Sequence, residues 1–188
     1  MKKVKGLFAF LLLLAVSGLA LAQDAKPAEH RTIAQVLDRN VAGVENEFVS
    51  AAGAMPEDKY SFAPTNGEFK GVRTFAQQVK HIAAVNYMIG ASILVEKPPV
   101  ELGGENGPDA IANKADIIKF LKESFAYLHK AAGSVNEKNL TDPIKSPFGE
   151  GKTTRLGMAT LAVGHVFDHY GQMVEYLRMN GIIPPASR

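Results

Sequence analysis

Apolar side chains recur at intervals of three and four along most of the chain, the spacing that gathers them on one face of an α-helix. From Arg31 to Ala54 the stripe is Ile33, Val36, Leu37, Val41, Val44 and Phe48, and it stops before Pro56. Residues 56–71 carry Pro56, Pro64, Gly67 and Gly71 with Asp58 and Asn66, which predicts a loop, with Tyr60 and Phe62 tucked against the helices. A second stripe of Phe75, Val79, Ile82, Ile89 and Ile93 predicts a helix over 72–97, closed by Pro98-Pro99. From Pro98 to Ala112 the chain is again rich in Pro and Gly, and long enough to cross from one end of a bundle to the other. Asn113, with Asp116 three residues on, reads as an N-cap opening a third helix whose inner face is Ile117, Phe120, Leu121, Phe125 and Leu128. A fourth helix is expected from Thr153 or Thr154 to the Asn180-Gly181 stop. No strand-like alternation and no internal repeat stand out, so the fold class is all-α, most simply a four-helix bundle.

The first residues follow another pattern. Lys2, Lys3 and Lys5 precede an unbroken apolar run from Leu7 to Val16, and Ala20-Leu21-Ala22 closes it before Gln23. Basic start, short apolar run and A-x-A site form a secretory signal peptide over 1–22, leaving 23–188 as the bundle domain. An uncleaved anchor is the alternative, since the apolar stretch continues to Ala22. With no twin arginine the Sec route is expected, delivering the protein to the periplasm or outside the cell with no stable membrane anchor after cleavage. Asn139-Leu140-Thr141 fits the N-glycosylation pattern, which matters only in a eukaryotic secretory pathway.

That segment changes the charge balance. The 188 residues hold 21 Lys plus Arg against 19 Asp plus Glu, a formal +2. Without the three signal-peptide lysines, 18 basic side chains face 19 acidic ones, and the net becomes −1. Nucleic acid, which demands a clustered basic footprint, is excluded as a partner. Cysteine is absent, which removes disulfides, thiolate metal sites, iron–sulfur clusters and cysteine nucleophiles from consideration. Any metal must therefore rest on His and carboxylate.

The fourth helix departs from simple amphipathicity. Leu156, Thr160, Val163, Phe167, Tyr170, Val174 and Leu177 make a sufficient core stripe, yet Met158, Leu161, Ala162, Met173 and Tyr176 surround His165 and His169 on the other side. A helix apolar on both sides is buried or covers a pocket. Two histidines at i and i+4 share a face with Cβ atoms about 6 Å apart and can reach one ion, although satisfied core histidines show the same spacing. His81 adds a third imidazole amid Ile82, Ala83, Ala84 and Val85, where an unpaired ring is costly to bury. Three neutral imidazoles facing a cavity make a divalent-metal site with positions left for water or substrate. His30, at a helix start, and His129, beside Lys130 near a helix end, read as surface residues.

The segments Gly71 to Tyr87 and His165-Val166-Phe167-Asp168-His169-Tyr170-Gly171-Gln172, with the ending Tyr176 to Pro185, resemble the second and fourth helices of the DinB-like (DinB/YfiT) superfamily. The resemblance spans nearly the whole mature chain in helix order. It implies a four-helix bundle with a long crossover between helices 2 and 3, and a divalent metal held by one His of helix 2 and two of helix 4, here His81, His165 and His169. Some members of that family are thiol-dependent transferases or isomerases, whereas many have no assigned reaction, and fold does not settle chemistry.

Gln172, Asn86 and Tyr170 are the candidates for hydrogen bonds to the ligands or to a metal-bound water. Asp168 points about 100° away from His169 and reads as a surface charge or interhelical partner. Arg73 and Arg178 read as partners of acids or helix caps, with an anion-binding role as the alternative. No serine triad, carboxylate pair or phosphate-cradling glycine loop rises above chance. The favoured reading is an exported metal-dependent hydrolase- or transferase-like enzyme acting on a small molecule. The alternatives are a non-catalytic metal- or ligand-binding bundle and a purely structural protein with buried histidines. Zn, Ni, Fe and Mn all accept three imidazoles, and a family-typical homodimer stays open, with no feature that requires it.

Overall fold

The structure, a computed structural model, describes residues 30–188; the signal peptide read in 1–22 lies outside the described residues. Each helix opens on a side chain that satisfies its first free amides. Thr32 and Thr74 form reciprocal capping boxes with Gln35 and Gln77, Asn113 accepts from the Asp116 amide, and Thr154 accepts from the Gly157 amide. These caps start α1 (Ile33–Ala54), α2 (Phe75–Leu94), α3 (Lys114–Gly133) and α4 (Arg155–Met179). The second helix is thus shorter at both ends than the 72–97 expected. Thr74 caps it later, and Val95 ends it by turning into the left-handed region at φ 58°, its N–H bonded to the Ala91 and Ser92 carbonyls before the prolines are reached.

Side-chain bonds between helices fix their directions. Asn86 bonds Ser124 and Tyr127 bonds Glu96, so α2 and α3 run parallel. Gln78 meets Gln172 and the Arg155 guanidinium reaches the Ile93 carbonyl, so α4 is antiparallel to α2. Lys114 donates to the Gly53 carbonyl while His129 bonds Asp38, so α1 is antiparallel to α3. The bundle is all-α and runs up, down, down, up. Two consecutive parallel helices require a connection that travels the length of the bundle, and the chain between Val95 and Asn113 makes it.

The core is drawn from all four helices, including Phe48, Ile82, Ile89, Leu121, Phe125 and Met173, all essentially without solvent exposure. Tyr60 and Phe62 pack inward as expected, Tyr60 bonding the Ala52 carbonyl and stacking edge-on to Phe75, and Phe62 edge-on to Tyr176. Alternation did not reveal one element: a two-stranded antiparallel hairpin, β1 (Pro143–Lys145) with β2 (Lys152–Thr154). Three-residue strands are too short for the period-two signal. Ser92 donates to the Lys145 carbonyl at 2.7 Å, which seats this hairpin on the C-terminal end of α2.

The inner face of α4 also differs from expectation. Its buried residues are Met158, Ala159, Ala162, Val166, His169, Met173, Tyr176 and Leu177, while Phe167 is 48% exposed. The stripe Leu156-Thr160-Val163-Phe167 is rotated by about one residue, or 100°, from the true core face. Counting only apolar residues excluded His169, which occupies a core position.

Candidate metal centre

α2 is buried on nearly every side from Gln78 to Tyr87, so the polar side chains it carries there must find partners inside the protein. His81 is one of them, and it meets His165 and His169 across the α2–α4 interface. The His81 ring lies 5.1 Å from that of His165 and 4.7 Å from that of His169, and the two α4 rings are 4.6 Å apart. One ligand atom from each histidine falls within 4.8 Å of the others.

The hydrogen bonds behind the rings decide which nitrogens face the cluster. His81 Nδ1 is 2.6 Å from the Glu105 carbonyl oxygen, which can only accept, so Nδ1 carries the proton and Nε2 keeps its lone pair. His169 is fixed by a longer chain. Asp168 accepts from the Gln172 amide at 3.3 Å, Gln172 Oε1 accepts from Gln78 Nε2 at 2.8 Å, and Gln78 Oε1 lies 2.6 Å from His169 Nδ1. Because the carboxylate at the far end only accepts, both amides are oriented in sequence. His169 must donate from Nδ1, which leaves Nε2 as its ligand atom. His165 Nε2 sits 3.2 Å from His81 Nε2, and its buried Nδ1 has no partner among the described residues.

These residues fit a divalent ion. Metal–nitrogen bonds of about 2.0–2.1 Å in a tetrahedral site set ligand atoms about 3.3–3.4 Å apart, close to the separation of the His81 and His165 nitrogens. Binding also requires neutral imidazoles. Burial, then the neighbouring His81, pushes His165 down to about 4; burial, then His165 and His81, pushes His169 down to about 3. His81 is lowered too, chiefly by burial, against the Glu105 carbonyl that favours its protonated form. Arg73 adds its positive charge against protonation of all three.

A cavity of about 330 Å³ opens in front of His81 and His165. Val85, Ile89, Phe148 and Leu161 give it apolar walls, and Arg73 and Glu105 give it charged ones. A second, more polar cavity of about 370 Å³ shares Arg73 and is lined by Gln77, Gln78, Asn106 and Gln172. The crossover forms the wall between α2 and solvent. Besides the Glu105–His81 bond, Lys80 donates to the Pro108 carbonyl and Arg73 Nε to Asn106 Oδ1. Gly107, at φ 74°, lies so close to α2 that a Cβ there would meet Lys80 Cβ at 2.9 Å.

The six candidate residues fall in different places. His81, His165 and His169 come together. Gln172 is exposed and reaches His169 only through Gln78. Asn86 is buried against α3, bonded to Ser124 rather than to the cluster. Tyr170 is half-buried on the α1 side, where the Glu47 charge adds to burial in raising its pKa. His30 is exposed, but His129 is half-buried between Asp38 and Glu45 of α1. Sequence reading missed Gln78, Glu105 and Asn106. Gln78 was detectable, three residues before His81 and hence on its side of the helix; the other two lie in a loop where no periodicity points anywhere.

A four-helix bundle with a crossover between α2 and α3 and three histidines shared by α2 and α4 defines the class. The chain belongs to the DinB superfamily, whose family model matches residues 41–173. Two solved structures share the fold. A DinB-like protein from Bacillus subtilis has 20% sequence identity and a TM-score of 0.58, over 78% of this chain and 92% of that one. A conserved protein from Enterococcus faecalis has 16% identity and a TM-score of 0.63, over 79% of this chain and 97% of that one. No curated protein matches the sequence.

Proposed function

We propose that this protein is an exported metal-dependent enzyme, hydrolase- or transferase-like, that holds one divalent ion on His81, His165 and His169. The observation that carries the reading is the convergence of three neutral imidazoles, two with their tautomer fixed from behind, beside an open cavity. A divalent ion there would supply Lewis acidity, enough to polarise a carbonyl or to acidify water or a thiol. The chain's own contributions are positional. Glu105 and Gln78 hold the rings of His81 and His169, and Val85, Ile89, Phe148 and Leu161 offer an apolar surface to a small substrate. Zn, Ni, Fe and Mn are the ions that such a donor set accepts. Export rests on the basic and apolar pattern of residues 1–22.

Elemental analysis of protein purified without a His-tag tests the centre: one divalent ion per chain, carried or taken up, is expected, with affinity lost in His81→Ala. Absence of binding would overturn it. An ester, amide and thiol-transfer screen tests catalysis, through metal-dependent turnover that disappears in His165→Ala. Tight metal binding with silence across that screen would make the bundle a binding module instead. Cell fractionation that leaves the protein in the cytoplasm with residues 1–22 uncleaved would refute export.

A further inference from the structure

Arg73 is the one cation lining the cavity beside the histidines, and its chemistry is not spent within the described residues. Its Nε donates to Asn106 Oδ1 at 3.0 Å, and among the described residues it pairs with no carboxylate. The other cation nearby is occupied, since Lys80 Nζ donates to the Pro108 carbonyl at 3.0 Å. Arg73 is also held in place. Its backbone carbonyl accepts from Tyr176 at 3.0 Å, it directly precedes the Thr74 cap of α2, and Asn106 lies beside Gly107, which is packed against Lys80. The guanidinium lines both cavities, so it stands where the polar one meets the one faced by His81 and His165.

We infer that Arg73 is the anion-binding group of this cavity and that the substrate class is a small monocarboxylate with an apolar body. The inference rests on the metal reading above and extends it. A half-buried guanidinium with free Nη donors matches a carboxylate in forked geometry. Charge points the same way. Three neutral imidazoles contribute nothing to offset a divalent ion, so its two positive charges and that of Arg73 face the carboxylates of Glu105, which acts on His81, and Asp168, which acts on His165, and one positive charge is left over. An anionic ligand relieves that excess. An excess of one positive charge suits a monoanion better than a phosphate dianion, and Val85, Ile89, Phe148 and Leu161 leave the rest of the ligand an apolar surface. About 330 Å³ is at the small end of ligand pockets, which limits that body to an aryl group or short alkyl chain.

The test is calorimetric titration of the zinc-loaded full domain with benzoate, phenylacetate and hexanoate, each against its neutral amide. At least one acid should bind about tenfold or more tightly than its amide, and Arg73→Gln should abolish that preference while zinc is still held, as tightly as in the wild type or more so, because a positive charge beside the ion is removed. Asn106→Ala, which frees the guanidinium without removing it, should weaken the acid and spare zinc, and it stands in if Arg73→Gln does not fold. The inference is overturned if no acid binds, if acid and amide bind alike, or if Arg73→Gln retains the preference, since the carboxylate would then rest on the metal alone. Failure of the wild type to hold zinc would instead overturn the metal reading; the same titrations on the metal-free protein then decide the Arg73 assignment by the acid-over-amide preference and its loss in Arg73→Gln.

Discussion

Replacing Gln78 by Leu removes the acceptor behind His169 while keeping the volume of a side chain that is 2% exposed. Two effects follow, and they are separable. An isobutyl group in place of the amide leaves the His169 Nδ1–H without a partner, which costs about 1–3 kcal/mol of stability for a group removed from water, whereas the exposed Gln172 amide can turn to solvent. The ring also loses the 2.6 Å bond that sets its tautomer and orientation. Losses of this kind weaken metal binding about 10–100-fold, equal to about 1.4–2.8 kcal/mol. Zinc affinity is best measured by competition with a chromophoric chelator at pH 7.5. With His165 at about 4, His169 at about 3 and His81 also held below the ordinary histidine value by burial, all three rings are already neutral there, so protonation does not confound the comparison. Gln78→Glu keeps an acceptor and should restore affinity to within about threefold of wild type. If Gln78→Leu lowers thermal stability but binds zinc within about twofold of wild type, the chain from Asp168 to His169 is packing, and the argument that it positions a ligand fails.

Two further outcomes follow from the same geometry. Gly107→Ala must place a Cβ at φ 74° and 2.9 Å from Lys80 Cβ; left-handed strain of about 1–2 kcal/mol plus the clash should lower stability in denaturant by about 2 kcal/mol or more. It should also weaken zinc binding by moving the Glu105 carbonyl off His81, and an unchanged midpoint with unchanged affinity would contradict the seating of the crossover. His129 sits between Asp38 and Glu45; burial lowers its pKa, but the bonds and charges of the two carboxylates outweigh it and the net shift is upward. Its contribution is therefore complete below the unfolded value near 6.5 and disappears as pH rises through the higher folded value. The stability gap between wild type and His129→Gln, on the order of 1 kcal/mol for so exposed a set of partners, should be largest at pH 6 and shrink by pH 9. A gap that widens with pH would reverse the assignment.

Helices, the Asn113 cap and the crossover were legible because each has a local cause: stripes such as Phe75-Val79-Ile82 follow the 3.6-residue period, and Asn113 sits three residues before Asp116. The Thr32 and Thr74 capping boxes were not anticipated, and the start of α2 was set too early. The cluster was legible because burying an imidazole is costly, so three histidines among apolar neighbours need a reason. What was not legible depended on tertiary placement. His169 is a core residue that hydropathy scores as polar, so the inner face of α4 was set one residue off. The hairpin is too short to carry a period. His129 looked like a surface residue at a helix end because Asp38 and Glu45, which hold it, are 91 and 84 positions away.

The placement of the site follows from the topology. In a bundle running up, down, down, up, the connection between the parallel pair α2 and α3 must pass along the outside, and here it passes Arg73, just ahead of α2, and the first turns of α2, which carry Gln78 and His81. A direct turn between antiparallel helices would have left that flank of the cluster open to water. The crossover instead supplies the Glu105 carbonyl behind His81, Asn106 beside Arg73 and the Gly107 contact that holds both near α2. Helices α2 and α4 provide the ligands, but the loop sets the protonation of one of them and the position of the guanidinium that lines the cavity. Differences in chemistry between proteins with this bundle should therefore follow the sequence of the crossover, from Gly103 to Pro108 in this chain, more closely than the sequence of the helical core.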